Sequence, residues 1–200
     1  MPTENQGAPV PLWNLANVLT MVRVALVPVF AVLMFGDSTA ARVGAAVVFL
    51  VAAATDKLDG YIARSRGLVT NFGKIADPIA DKALVIAALL LLWAEGTIPW
   101  WVPVTIIVRE LGITLLRFVM VRRAVMAASS GGKLKTVLQI VFITGYLVPW
   151  AELLPEAAAE VVLLCTWWVM LLAVVVTVVT GIDYVVRAVR IARAPAAGRP

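Results

Sequence analysis

The sequence predicts an all-α integral membrane protein with six transmembrane helices and both termini in the cytoplasm. Three observations carry that expectation. The 200 residues are 62% hydrophobic with a mean hydropathy of +0.96, well outside the composition of water-soluble domains. The apolar residues come in long blocks, each close to the roughly 20 residues a helix needs to cross hydrocarbon. Basic residues gather on alternate connections between those blocks, as the positive-inside rule requires.

The first span is expected near 22–36, preceded by LWNLANVLTM, which reads as an interfacial segment capped by Trp13. The second covers 41–63, the third 75–94, the fourth 100–121, the fifth 135–151 and the sixth 159–186. Pro28, Pro78 and Pro103 fall at or near segment starts, or where a helix would kink. On this layout the connection at 64–74 holds Arg64, Arg66 and Lys74, and that at 122–135 holds Arg122, Arg123, Lys133 and Lys135. The end of the chain adds Arg187, Arg190, Arg193 and Arg199. The opposite connections carry Arg42 as their only basic residue, beside Asp37, Glu95, Glu152, Glu156 and Glu160. That asymmetry sets the orientation, and Trp100, Trp101 and Trp150 suit an aromatic belt at the far interface.

Residues 1–13 read as a disordered cytoplasmic tail without the basic region of a signal peptide. Residues 191–200 read as a basic cytoplasmic tail, and 14–190 as one transmembrane domain undivided by any linker. No internal repeat is evident, which disfavours an inverted-repeat transporter. Histidine is absent, so imidazole catalysis and imidazole metal ligation are excluded. The single cysteine, Cys165, sits in an apolar run and reads as a buried, inert thiol.

Against this background four aspartates stand out. Asp56 and Asp59 are spaced i,i+3, and Asp77 and Asp81 are spaced i,i+4, so on helices each pair shares a face. Carboxylates beside hydrocarbon are costly unless paired or metal-bound. Two such pairs together would form an all-oxygen site suited to a hard divalent cation such as Mg²⁺ or Mn²⁺. Each residue also has an ordinary reading. Asp77 before Pro78 could be a helix N-cap, Gly60 and Gly73 could be helix-end residues, and Arg64, Arg66 and Lys74 could be inside positives. None of these explains four acids at such intervals among the cations.

The full order is Asp56-x-x-Asp59-Gly60-x-x-Ala63-Arg64, eight residues, then Gly73-x-x-x-Asp77-x-x-x-Asp81. It resembles the signature of the CDP-alcohol phosphotransferase family, with every fixed position filled. The resemblance implies a six-helix membrane enzyme, a homodimer, that moves a phosphoalcohol group from a CDP-linked donor to an alcohol and releases CMP. It assigns Asp56, Asp59, Asp77 and Asp81 to metal ions, two of which would clamp the reacting oxygens. Asp81 would also take the proton of the attacking hydroxyl. Gly60 and Gly73 would let backbone approach the nucleotide, with Ala63 beside them and Arg64 forking to phosphate or to the cytosine edge.

Three further stretches resemble the bacterial branch of that family which joins CDP-diacylglycerol to sn-glycerol 3-phosphate. They are Asn17-x-x-Thr20-x-x-Arg23, Arg109-Glu110-x-x-x-Thr114-x-x-Arg117, and Gly132-Lys133-x-Lys135-Thr136-x-x-Gln139. Gly181, Asp183 and Tyr184 suit the same branch. Asn17 and Thr20 would then serve the donor. Arg109, Glu110, Arg117, Lys133, Lys135, Thr136 and Arg187 would serve the acceptor. Glycerol 3-phosphate is a dianion, and Arg109 and Arg117 lie in an apolar run where a lone arginine would be expensive. Lys133 and Lys135 follow a flexible SSGG at 129–132, a sensible end for a phosphate-gripping loop. The alternatives are anchoring for Lys133, Lys135 and Arg187, a structural pair for Arg109 with Glu110, and capping for Asn17 and Thr20.

Two other functions remain open at this point. The same fold could use phosphatidylglycerol as acceptor, as a cardiolipin synthase, or inositol phosphate, as a phosphatidylinositol-phosphate synthase. A transporter or proton pathway is the reading from another class, but relay acids would be spread through the bilayer depth.

Overall fold

The computed structural model describes residues 15–65, 71–120 and 130–193. Within them, side chains are described except at 15–17, 56–65, 71–81, 117, 119–120, 130–131 and 192–193. Every regular element among the described residues is a helix: α1 Leu15–Met34, α2 Thr39–Ser65, α3 Asn71–Ala94, α4 Trp101–Met120, α5 Ser130–Leu147, α6 Trp150–Leu153 and α7 Glu156–Arg193. The chain divides into two compact units, Met1–Ala87 and Ala88–Pro200.

In the first unit α1 packs along α2. The reason lies in side-chain size. Phe30 and Met34 of α1 meet a run of alanines on α2 (Ala45, Ala46 and Ala52) around Phe49, and all six are buried. Small residues let the two backbones approach, and Phe30 fills the gap against Phe49 with ring centroids 6.1 Å apart, tilted by 46°. The turn between these helices is tight. A Cβ on Gly36 would lie 2.7 Å from that of Ala41, and the Ala41 N–H donates to Ser38 Oγ at 3.1 Å, capping α2.

In the second unit α4, α5 and α6 all pack on α7. The α3 helix stops at Gly96, whose φ of 75° suits a residue without Cβ. Thr97 N–H reaches back to Leu92 O and Gly96 N–H to Trp93 O, the paired bonds of a Schellman stop. Gly145 sets the approach of α5 to α7, since a Cβ there would lie 2.6 Å from Thr166 Oγ1 and 2.7 Å from Thr166 Cγ2. Trp150 Nε1 donates to Gly145 O at 2.7 Å, closing the end of α5.

The α7 helix has 38 residues, a length of about 57 Å at 1.5 Å per residue. Among the described helices it alone is long and apolar enough to cross a membrane, over Glu156–Ile191. Val161, Leu164, Trp168, Leu172, Val175, Val179 and Ile182 recur every three or four residues along it and are exposed. An apolar stripe of that extent marks a lipid or protein contact, not a watered surface. Among the described residues the other apolar stretches are Val18–Met34, Thr39–Thr55 and Lys82–Ala94.

Several boundaries differ from expectation. The α1 helix is continuous from Leu15, so the stretch expected to lie apart at the interface is its first part. Pro28 sits inside α1, the second of the two placements the sequence allowed. The α3 helix starts at Asn71, which sets aside the N-cap reading of Asp77. Ser130, Gly131 and Gly132 form the first turn of α5, so Lys133 and Lys135 project from a helix, not a loop end. The connection expected at 151–160 contains α6 and the start of α7. Cys165 is exposed, not buried, because its face of α7 lies away from the packed partners.

Candidate functional site

The motif residues divide between two helix ends. Asp56, Asp59, Gly60, Ala63 and Arg64 stand in the last three turns of α2. Gly73, Asp77 and Asp81 stand in the first three turns of α3. Both stretches being helical, the i,i+3 and i,i+4 spacings keep each aspartate pair on a shared face. Their side chains lie outside the described residues, as do those of Asn17 and Arg117. Among the described residues no group of three acids, cysteines or histidines could hold a metal. The donor set these positions supply is four carboxylates with neither imidazole nor thiolate, which fits a hard, oxygen-seeking divalent ion. Thr20, on α1, is buried.

The second group of predicted residues does come together, on α4, α5 and α7. Glu110 Oε1 accepts from Arg109 Nη1 at 3.1 Å and forms an ion pair with Lys135 Nζ. The side chains of Arg109, Glu110 and Lys135 are only 16%, 13% and 7% exposed. Arg109 Nη2 donates to Thr180 Oγ1 of α7 at 3.2 Å. Buried charges are tolerable when each is paired and hydrogen-bonded. Here two cations share one carboxylate in a poorly solvated place.

Thr180 is held in turn. Its hydroxyl donates to Val176 O at 2.7 Å, which leaves the oxygen as an acceptor for the guanidinium. One turn earlier Thr177 repeats the device, donating to Ala173 O at 2.6 Å and accepting from Gln139 Nε2 of α5 at 3.4 Å. The i,i+3 threonines of α7 thus receive one polar side chain from α4 and one from α5. Such buried polar links fix how helices register when hydrophobic contact is unspecific.

Arg109 and Gly181 also line a groove of about 780 Å³ between α4 and α7. Among the described residues Arg109 is its one charged lining residue; Val104, Val108, Val178, Ile182 and Val185 make most of the rest.

The remaining predicted acceptor residues stand apart from the cluster in their described contacts. Lys133 is exposed, and the Thr136 hydroxyl donates to Gly132 O at 3.1 Å on an exposed face. Arg187 Nε pairs with Asp183 at 3.0 Å, both half-exposed. Sequence reasoning gave no role to Arg23, which is 1% exposed, and overlooked Thr177 and Thr180. The available signal was two threonines at helical spacing inside an otherwise aliphatic run, just before Gly181.

Acids on either side of one helix connection, together with a buried Arg–Glu–Lys cluster on α4 and α5, point to a phosphotransfer protein. The chain belongs to the CDP-alcohol phosphatidyltransferase family, whose sequence model matches residues 13–193. It is 47% identical over 180 residues to a probable phosphatidylglycerophosphate synthase of Mycobacterium tuberculosis, covering 88% of this chain and 82% of the relative. It is 41% identical over 149 residues to the CDP-diacylglycerol–glycerol-3-phosphate 3-phosphatidyltransferase of Bacillus subtilis, covering 68% of this chain and 77% of the relative. The Escherichia coli K12 protein of that same name is 40% identical over 135 residues, 64% of this chain and 74% of the relative.

Proposed function

We propose that this protein is a phosphatidylglycerophosphate synthase, transferring the phosphatidyl group of CDP-diacylglycerol to sn-glycerol 3-phosphate and releasing CMP. The observation that carries the acceptor is the Arg109–Glu110–Lys135 cluster, which gathers two cationic side chains in a poorly solvated place, a setting suited to a phosphate dianion. The donor assignment rests on the complete aspartate motif and on the names of relatives that cover most of the chain.

In this reading Asp56, Asp59, Asp77 and Asp81 hold divalent metal, Mg²⁺ or Mn²⁺ and two ions, which would neutralise the diphosphate when bound. Arg64, with Gly60, Ala63, Gly73, Asn17 and Thr20, serves the cytidine diphosphate half. Arg109 and Lys135 draw in the acceptor phosphate, with Arg117, Lys133, Thr136 and Arg187 contributing at its margins, and Glu110 holds the two inner cations in place. An acceptor hydroxyl oxygen forms the new bond to the lipid-bearing phosphorus. The bond from that phosphorus to the bridging oxygen breaks, CMP leaves with its electrons, and Asp81 receives the hydroxyl proton.

The exposed apolar stripe of α7 and the charge asymmetry of the connections support a multi-pass protein of the bacterial inner membrane. We read six crossings, both termini and the site facing the cytoplasm, 14–190 as the catalytic domain, and a homodimer. The family match over 13–193 supports that domain span.

The test is direct. Purified protein in lipid or detergent, given CDP-diacylglycerol and glycerol 3-phosphate, should release CMP and yield phosphatidylglycerophosphate only when Mg²⁺ or Mn²⁺ is added. Phosphatidylglycerol and inositol phosphate in the same assay should give no product. Turnover with either of them and none with glycerol 3-phosphate would reassign the acceptor.

A further inference from the structure

We infer that Thr180 and Gly181 of α7 are positioning residues for the acceptor phosphate, acting through Arg109. The inference rests on the functional reading above and adds to it two residues that touch no substrate.

The argument is an inventory of the guanidinium. Arginine has five N–H groups in a rigid fork. One from Nη1 goes to Glu110 and one from Nη2 goes to Thr180. The Nε–H is buried without a hydrogen-bond partner among the described residues, and Nε lies 3.6 Å from where a Cβ on Gly181 would be. The second hydrogens of Nη1 and Nη2 are what Arg109 can offer an anion.

That division depends on α7. Arg109 and Glu110 are neighbours on α4, and a long arginine beside a carboxylate can close on it with both terminal nitrogens. Such closure would use the groups a phosphate needs. Thr180 opposes it by holding Nη2, and its own proton is committed to Val176 O, so its oxygen can only accept. Gly181 supplies the room. A Cβ there would come within 3.1 Å of Arg109 Cγ, closer than side chains normally sit, so the arginine stem lies along bare backbone. The two neighbouring residues fix the stem and the head of one side chain.

Three variants and one binding measurement test this. Thr180→Val keeps the shape and removes the acceptor oxygen. It should raise KM for glycerol 3-phosphate about tenfold, the low end of what a hydrogen bond to a charged group is worth. KM for CDP-diacylglycerol should stay at the wild-type value. Thr180→Ser should restore the acceptor KM. Gly181→Ala should shift it in the same direction as Thr180→Val, by displacing the stem. In thermal unfolding, glycerol 3-phosphate should raise the Tm of the wild type, and in Thr180→Val that rise above the variant's own ligand-free Tm should be lost.

An active wild type whose Thr180→Val variant keeps the wild-type acceptor KM overturns this inference alone. Equal movement of donor and acceptor KM, or no rescue by serine, does the same, since either is what loss of packing would give. Should Thr180→Val not fold, Gly181→Ala with an unmoved acceptor KM overturns it. A wild type that releases no CMP with this acceptor removes the functional reading and the inference together.

Discussion

Lys135 and Arg109, on different helices, donate to the same oxygen, Oε1 of Glu110. One carboxylate therefore ties α4 to α5. Glu110→Gln keeps the shape and deletes the negative charge that Arg109 and Lys135 share. We expect a stability loss of about 3 kcal/mol, the lower bound for breaking a buried pair by removing one partner. Glu110→Gln combined with Lys135→Met should recover much of that loss. Reversible unfolding of the four proteins in one detergent closes the double-mutant cycle, and purely additive losses would mean the pair is not coupled.

Asp81→Asn should reduce turnover by at least about a hundredfold, the lower range for losing a positioned general base. Asparagine keeps the size of the side chain but cannot take up the hydroxyl proton. Binding of CDP-diacylglycerol in the presence of metal should be partly retained, as the other three aspartates remain. Single-turnover CMP release, measured beside donor binding, separates the two effects. A variant turning over at the wild-type rate would remove Asp81 from the mechanism.

Much of this was legible in the chain because hydrocarbon makes polar residues conspicuous. The all-helical class, the approximate helix positions and the acidic motif follow from apolar blocks and from charges that interrupt them. Arg109, Glu110 and Lys135 were each marked, for the same reason. The pairing of Arg109 with Glu110 was among the sequence alternatives; that Lys135 is the third member was not, since adjacency in space between α4 and α5 leaves no trace in residue spacing. Thr177 and Thr180 were missed because a hydroxyl in an apolar run is satisfied by its own helix carbonyl and looks inert. Only the structure reveals the second bond each oxygen accepts. Cys165 was misjudged because an apolar run says nothing about which helix face is packed.

Removal of divalent metal should abolish CMP release, and Mg²⁺ or Mn²⁺ should restore it. A cluster of carboxylates left without cations repels itself, so chelation should also lower thermal stability. That second readout does not depend on the assay. Ca²⁺, also an oxygen-seeking ion, should restore the stability, because the same carboxylates can ligate it. Full activity in a chelator, after dialysis against it, would contradict the metal role of all four aspartates.

Arg117→Ala should raise the acceptor KM more than the donor KM, because Arg117 follows Arg109 by two turns along α4 and carries charge into the same helix. Unchanged acceptor KM would assign it to structure.

Gly145→Ala provides a test of the packing on which the cluster stands. The added Cβ would lie 2.6 Å from Thr166 Oγ1, a contact that neither helix can accept without moving. Thr166 is buried and its hydroxyl is bonded to Val162 O at 2.8 Å, so the side chain cannot simply rotate away at no cost. We expect a loss of about 1–3 kcal/mol, the usual cost of overpacking. Adding Thr166→Ala removes the opposing atoms and should return most of the stability, as each helix then presents a small residue to the other. Gly145→Ala is also expected to reduce turnover, since Lys135 and Gln139 ride on the same helix as Gly145 and their partners on α4 and α7 would shift with it. If the single variant unfolds at the wild-type temperature, α5 and α7 are not as close at this point as the contact implies.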